Sequence, residues 1–527
     1  MMKKALFIFV VLSILFSCKR NEDTRWDVEI LSPVVKTRLT IDDLVGDSIL
    51  SINPDNSVTL DYTFGLSPID EDFFFEVPDT VLKLDYGFPF LSPVSLAPGF
   101  QFISDPAENE FNLNDAKIEY MEIESGKIEY KITSEIPEKT FYTYTIFKTN
   151  DRSGNVFRKT ISVPAGTRTN PSITVGSLNL DGVSFDLTGS TGTKFNTFES
   201  EVLVNVDPAG NSVTVSNLDS VFIENKLIGI KPKYARGYLG QSSFSEGPTN
   251  NKFTVFDQIK GGTIDIDSLE IFTEVKNYVG AEAQLKLNQL ISVNSQTGNS
   301  VALSHTSIGN WINLNRGTNL GTSIFPGKTR VDYTTQNSNI DLVIENLSDE
   351  MVTQVETRLN PLGNISSGND FLYFDQVVEA DFHIKLPLRL VANNLKFQQK
   401  IDLGIQEETN PVYDALISIY AENGFPFDAE VQLFLLDEWG GFYDSLVVTG
   451  LINSANTDAL NKVTTPVNSV VKIAVPENKM NFLNTKNSEV MLQIVFNTNS
   501  LPHTTIYRDY YLDLKLVTDM NAEIKYR

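Results

Sequence analysis

The 527-residue chain carries one cysteine, Cys18, and three histidines, His305, His383 and His503. Zinc chemistry needs clustered imidazoles or thiolates, and here no histidine has another within motif spacing. No G-x-S-x-G nucleophile turn occurs. Gly189-Ser190-Thr191-Gly192-Thr193-Lys194 has the residue types of a phosphate-cradling loop but not its spacing. Residues 195–206 then alternate like a strand, whereas a phosphate would need a helix N-terminus there, so a plain glycine turn is expected. Asp265 and Asp267 share a sheet face if Thr263 to Ile271 is extended, which would suit a calcium site or a glycosidase pair; a solvated strand face is the plainer reading. Asp70-Glu71-Asp72 and Asp437-Glu438 read as loop charges, and no twelve-residue calcium loop is visible. The expectation is no catalytic residue, no metal and no cofactor: the chain does not read as an enzyme.

Aromatic residues offer binding chemistry instead. Trp439 falls in Asp437-Glu438-Trp439-Gly440-Gly441, a hairpin tip by its turn residues, where an exposed indole could stack a sugar ring. Trp311 is the second candidate for such a role. Phe73-Phe74-Phe75 and Tyr86-Gly87-Phe88-Pro89-Phe90 are apolar clusters for docking a partner or plugging a local core.

The elements that must position these residues are mostly strands. Phe382, Ile384, Leu386, Leu388 and Leu390 take alternate positions, with His383, Lys385, Pro387 and Arg389 between them. His383 therefore lies on the polar face, and Pro387, lacking a donor, favours a sheet edge. Val202, Val204 and Val206 repeat the pattern, as do Ile264 and Ile266, Leu269 and Ile271 after a change of phase, and Tyr510, Leu512, Leu514 and Leu516. Lys117-Ile118-Glu119-Tyr120 recurs as Lys127-Ile128-Glu129-Tyr130 around Ser125-Gly126, which predicts a hairpin. Asp207-Pro208-Ala209-Gly210-Asn211 and Asn423-Gly424 are turns. Helical signal is sparse: Ser348-Asp349-Glu350 looks like an N-cap for Met351, Val352, Val355 and Leu359, and a second short helix is expected from Pro476 to about Asn484. The fold class is all-β, with several antiparallel sandwich-like sheet domains and a few short helices. The expected divisions are a leader at 1–17, a tether and irregular Pro- and aromatic-rich region at 18–114, an elongated strand-rich region of one or two domains at 115–406, and a sandwich-like domain at 407–527.

Composition narrows the partners. Hydrophobic residues make up 41%, enough for real cores without disulfide staples. The formal net charge is −25, and about −27 once Lys3 and Lys4 leave with the leader (−25 minus 2). Such a surface repels phosphate backbones and anionic headgroups, which excludes nucleic acid as a partner.

Met1-Met2-Lys3-Lys4 followed by the apolar run Ala5 to Leu15 is too short to span a bilayer and has the form of a secretory signal. With Cys18 directly after the small residue Ser17, the segment resembles a bacterial lipoprotein signal. The resemblance implies that Ser17 is the last residue removed and that Cys18 is lipidated and becomes the first residue of the mature chain. Phe16 departs mildly from the usual residue at its position. Glu22-Asp23 is similar to the acidic export tag that surface lipoproteins of the Bacteroidota carry after the cysteine.

Two further patches carry a resemblance. Trp26-Asp27-Val28 with Pro33 and Leu39-Thr40-Ile41-Asp42-Asp43-Leu44, and Asn423-Gly424-Phe425-Pro426 with Val431, Leu433, Leu435, Leu436 and Asp437, are similar to parts of large Bacteroidota lipoproteins. They cover about a tenth of the chain. The resemblance implies a lipid-anchored, non-catalytic scaffold or interaction subunit of the outer membrane, exposed at the cell surface. Its partners would be an integral β-barrel protein and other envelope lipoproteins, with the barrel-assembly machinery as the named setting. The alternative is a surface glycan-binding lipoprotein of a nutrient-uptake system, using Trp439 or Trp311.

Overall fold

The computed structural model describes residues 24–526 apart from 46–48, 67–74, 91, 246, 322, 402–411, 438, 484–488 and 499–501. Ser17, Cys18, the leader, Phe73 and Phe74 lie outside the described residues. The fold is all-β. The described helices are short, Ile41–Val45, Ile340–Glu345 and Glu477–Leu483, with one 3-10 turn at Thr254–Phe256.

The strands form three sandwich-like groups that the chain enters and leaves in nested order. The terminal group has a five-stranded sheet, in the order Thr24–Thr40, Tyr511–Tyr526, Val412–Asn423, Val467–Val475, Val447–Thr449. Its second sheet runs Leu395–Ile401, Glu489–Asn497, Asp428–Leu436, Phe442–Ser445. The middle group has a sheet in the order Leu50–Ile52, Val58–Gly65, Val378–Pro387, Glu270–Asn277, Gly327–Tyr333. Its other sheet is built on Glu350–Leu359 and Ala283–Asn294. The inner group pairs Thr80–Gly87, Ser220–Tyr238, Lys117–Ser134 and Ser172–Asn179 in one sheet, and Phe157–Val163, Thr140–Ile146, Thr197–Val206 and Gln101–Glu110 in the other. Segment 80–238 is thus inserted into the middle group, and the middle group into the terminal one. Insertion at points where a domain's chain ends lie close together is a low-cost way to extend a fold.

The nesting changes the division at residue 114. Residues 24–40 are not a tether: they form the edge strand of the terminal sheet, paired from Thr24↔Tyr526 to Thr40↔Tyr511. Segments 50–65 and 80–110 also hold regular strands. Their weak periodicity has a physical cause. In Thr80–Gly87 and Gln101–Glu110 exposed positions alternate with half-buried ones, so polar residues are tolerated on both faces.

Three local expectations are corrected. Glu350–Leu359 is a strand, not a helix; Met351, Thr353, Val355, Thr357 and Leu359 are buried on one face. An i, i+4, i+8 series satisfies a period of two as well as one near four, and the intervening threonines fill the inward face. Lys117–Ser134 is one continuous strand rather than a hairpin, with its neighbour irregular in register where Gly126 packs on Ile230. Val378–Pro387 is a central strand, but Pro387 lies past Lys385, where pairing with Glu270–Asn277 ends, so it breaks no ladder on that side. The helix expected near Pro476 is present at Glu477–Leu483.

Two junctions hold the groups together. The three-stranded sheet Ile264-containing Thr263–Ile266, Arg389–Asn393, Thr504–Thr505 joins the middle and terminal groups. Beside it Leu386, Leu388, Leu390, Ile264, Phe425 and Ile506 line a wholly apolar cavity of about 50 Å³. Between the middle and inner groups, Tyr234 meets Tyr373 (4.6 Å between ring centroids) and Phe75 meets Phe374 (5.4 Å). Asp370, with no exposed surface, takes contacts there from Asn360 Nδ2 at 2.8 Å and Arg316 at 3.3 Å.

Candidate interaction surfaces

The residues with chemical potential are mostly tied to partners of their own. Asp265 accepts from His503 Nε2 at 3.0 Å, whereas Asp267 pairs with Arg389 at 2.8 Å. The strand ends at Ile266, so the two carboxylates do not act as a pair. Glu345 accepts from the Ile266 backbone N–H at 2.9 Å, and burial pushes its carboxyl above the ordinary value. His383 is on the polar face, Nδ1 at 2.9 Å from Thr63 Oγ1, with its ring stacked on Phe272 at 4.6 Å. Arg330, from the strand on the other side, lies 3.5 Å over the Phe272 ring. His305 is held by Ser307 at 2.7 Å and abuts Tyr333, and burial lowers its pKa. Among the described residues, no group of three or more His, Cys, Asp or Glu side chains could hold a metal ion.

The Gly189–Lys194 loop is a turn whose donors are already engaged. Ser190 donates its backbone N–H (2.9 Å) and hydroxyl (2.7 Å) to Glu108, and Lys194 Nζ makes an ion pair with the same carboxylate. These contacts, Lys194 foremost, hold the Glu108 carboxyl down at about 2. A protein carboxylate thus sits where a phosphate would be cradled.

The aromatic candidates separate by exposure. Phe75 is buried at the inner junction, so it is core rather than docking surface. Trp311 is half-buried, with Arg358 at 3.9 Å and Lys286 at 4.8 Å over its ring. Those cations occupy the π-surface that a sugar would need. Trp439 is 86% exposed at the tip of a hairpin. Asp437 organises that tip by accepting the backbone N–H groups of Trp439 (2.9 Å) and Gly441 (2.7 Å). Phe442 and Tyr443 follow, 67% and 54% exposed, and Tyr443 stacks on Phe482 at 3.9 Å.

A second surface is one that sequence reading overlooked. Ser172–Asn179 pairs with Lys117–Ser134 on one side and with no other described strand. Its eight residues, SITVGSLN, carry no charge, and Ile173 and Val175 are largely exposed. Edge strands are ordinarily blunted by charge, proline or a bulge, and this one has none. Tyr130 lies against Gly176, where a Cβ would come within 2.3 Å of its hydroxyl, which keeps this stretch flush with the sheet. The available signal was the exposed Ile173 and Val175 spaced by two in a segment free of charge.

No protein-family profile and no curated protein matches the chain. Among solved structures, a Parabacteroides distasonis protein described as an inferred secreted protein aligns at 10% identity and TM-score 0.17, over 68% of this chain and 99% of that one. The VP2 subviral particle of infectious bursal disease virus aligns at 9% identity and TM-score 0.08, over 87% of this chain and 84% of that one.

Proposed function

We propose that the chain is a lipid-anchored, non-catalytic interaction subunit of the bacterial outer membrane that works beside an integral β-barrel protein, with the barrel-assembly machinery as its setting. The observation that carries this reading is the nested connectivity. The first and last described strands lie in the terminal group and the inner group is reached only through the middle one, so for a protein held at Cys18 the inner group is the one furthest removed from the anchor in the connectivity. There the uncharged edge Ser172–Asn179 offers unpaired backbone groups and exposed Ile173 and Val175 for strand addition. The acidic surface leaves attachment to the lipid rather than to charge. Affinity purification from native membranes in mild detergent tests the reading. Co-purification of a β-barrel protein and envelope lipoproteins is expected; recovery as a lone chain after crosslinking in cells would overturn it.

One observation favours a second reading, glycan capture: Trp439 is bare while Trp311 is covered. Binding to a polysaccharide panel that disappears in Trp439→Ala would replace the scaffold reading with this one.

A further inference from the structure

We infer that the outer face of the middle group around Trp311 is a binding site for a single carboxylate on a compact ligand, a sugar acid or a small organic acid, with Arg358 as its anchor. Register brings the residues together. Ser243 is level with Arg358, Arg358 with Gln284, and Gln284 with Asn313, so these side chains share one row across the strands Ser242–Ser245, Glu350–Leu359, Ala283–Asn294 and Ile312–Leu314. Glu356 and Lys286 form the next row, and Trp311, directly before Ile312 opposite Leu285, extends it. Leu285, Thr357 and Leu359 alternate with these residues and are buried, which leaves both rows on the outer face.

The rows carry more positive charge than they neutralise. Lys286, with its side chain 17% exposed, pairs with Glu356 at 2.7 Å, and Asn288 Nδ2 donates to the same carboxylate at 2.6 Å. Those contacts, Lys286 foremost, hold the Glu356 carboxyl below its ordinary value. Glu282 is engaged by Arg316 at 3.4 Å. Among the described residues no carboxylate lies within ion-pairing distance of Arg358; its guanidinium instead lies 3.9 Å over the Trp311 ring. Stacking there orients the plane and leaves the N–H groups at its edge free, a rigid fork that matches a carboxylate. Gln284 Nε2 donates to Asn313 Oδ1 at 2.8 Å. Among the described residues that leaves Asn313 Nδ2 and the Ser243 hydroxyl as spare donors and Gln284 Oε1 as a spare acceptor for a ligand hydroxyl. The backbones of Glu350–Leu359 and Ala283–Asn294 are paired on both sides at this row, so no strand can be added and recognition falls to side chains, which suits a compact ligand. The cations over Trp311 bar a neutral ring from stacking and favour an anion, while the net charge of −25 disfavours a polyanion.

The test is calorimetric titration of the full-length chain, purified in mild detergent, with glucuronate, acetate, glucose and inorganic phosphate at low ionic strength. Saturable binding of glucuronate is expected, with none of glucose. Arg358→Gln should weaken it about tenfold or more, and Arg358→Lys, which keeps the charge but loses the fork, should weaken it less. Two further variants read the charge balance rather than the arginine itself. Glu356→Gln releases Lys286 to the ligand and should tighten binding several-fold; Lys286→Met turns Glu356 toward Arg358 and should abolish binding with Arg358 intact. Tighter binding of glucuronate than of acetate assigns the ligand as a sugar acid, and equal binding assigns a small organic acid. Equal affinity in the native chain and Arg358→Gln would overturn the site, as would glucose binding as well as glucuronate. Binding of phosphate without either carboxylate would overturn it in favour of a phosphate ligand, and no saturable heat with either carboxylate would leave Arg358 as an ordinary surface cation.

Discussion

Arg38 and Asp513 meet across the first and last strands in a two-pronged ion pair, with both contacts at 2.6 Å. The guanidinium also lies 4.3 Å over the Tyr511 ring, and Tyr511 donates its hydroxyl to Glu422 on the next strand. One cluster thus clasps three strands, the first, the last and Val412–Asn423.

The clasp has a pH signature. Arg38 holds the Asp513 carboxyl below its ordinary value. A depressed folded-state value means that the contribution is present above the unfolded carboxylate range and is lost as pH falls through the lowered value. Acidification into that window is expected to speed hydrogen exchange along residues 36–40 before the cores open. Asp513→Asn should produce the same local effect at neutral pH, with global stability almost unmoved because Arg38 is largely exposed. Equal exchange in the two proteins at neutral pH would refute this.

Asp370 is the latch between the inner and middle groups. Its side chain is fully buried and bonds Asn360 and Arg316, while its backbone carbonyl accepts from Gly237 at 3.0 Å. Removing one member of a buried pair strands the other, so Asp370→Ala should cost about 3 kcal/mol, the low end of the usual range, since Arg316 keeps some contact with water. Urea unfolding monitored by limited proteolysis should show the inner group released as a separate fragment. A loss below about 1 kcal/mol would put the latch elsewhere.

Glu108 should titrate at about 2 when followed by carboxyl NMR. The shift is downward, so the loop at Gly189–Lys194 stays organised above the ordinary glutamate range and loosens only as pH falls through about 2. Glu108→Gln should loosen it at neutral pH, visible as faster exchange of the Ser190 amide. An ordinary glutamate titration would contradict the assignment.

Val175→Lys places a charge on the exposed edge strand without touching the core. Global stability should change by less than about 0.5 kcal/mol. Recovery of the barrel partner from membranes should fall if the edge accepts a partner strand. Undiminished recovery would move the contact to another surface.

Legibility in the sequence followed burial contrast. Val202, Val204 and Val206, and Leu512, Leu514 and Leu516, alternate between core and water, and their strands could be read directly. The helix at Glu477–Leu483 was legible from its proline start. Glu350–Leu359 was misread because its apolar residues fell every fourth position, a spacing common to both periodicities, and because Thr353 and Thr357 do the work of apolar residues on the inward face. The repeat of Lys117–Tyr120 at Lys127–Tyr130 suggested a turn at Ser125-Gly126, but both copies pair in succession with the single long strand Ser220–Tyr238. Of the site residues, Trp439 was found at a hairpin tip, as its glycines and aspartate implied. Trp311 was not distinguishable from it until Arg358 and Lys286 were placed over its ring.

By itself the sequence determined that this is a strand-built, acidic chain, because alternation and charge are local properties that survive without a partner. Tertiary structure alone decided that Thr24 lies opposite Tyr526 and that residues 80–238 form an insertion within an insertion. Antiparallel pairing between segments so far apart is chosen by which faces can be buried together, and no local signal encodes that choice.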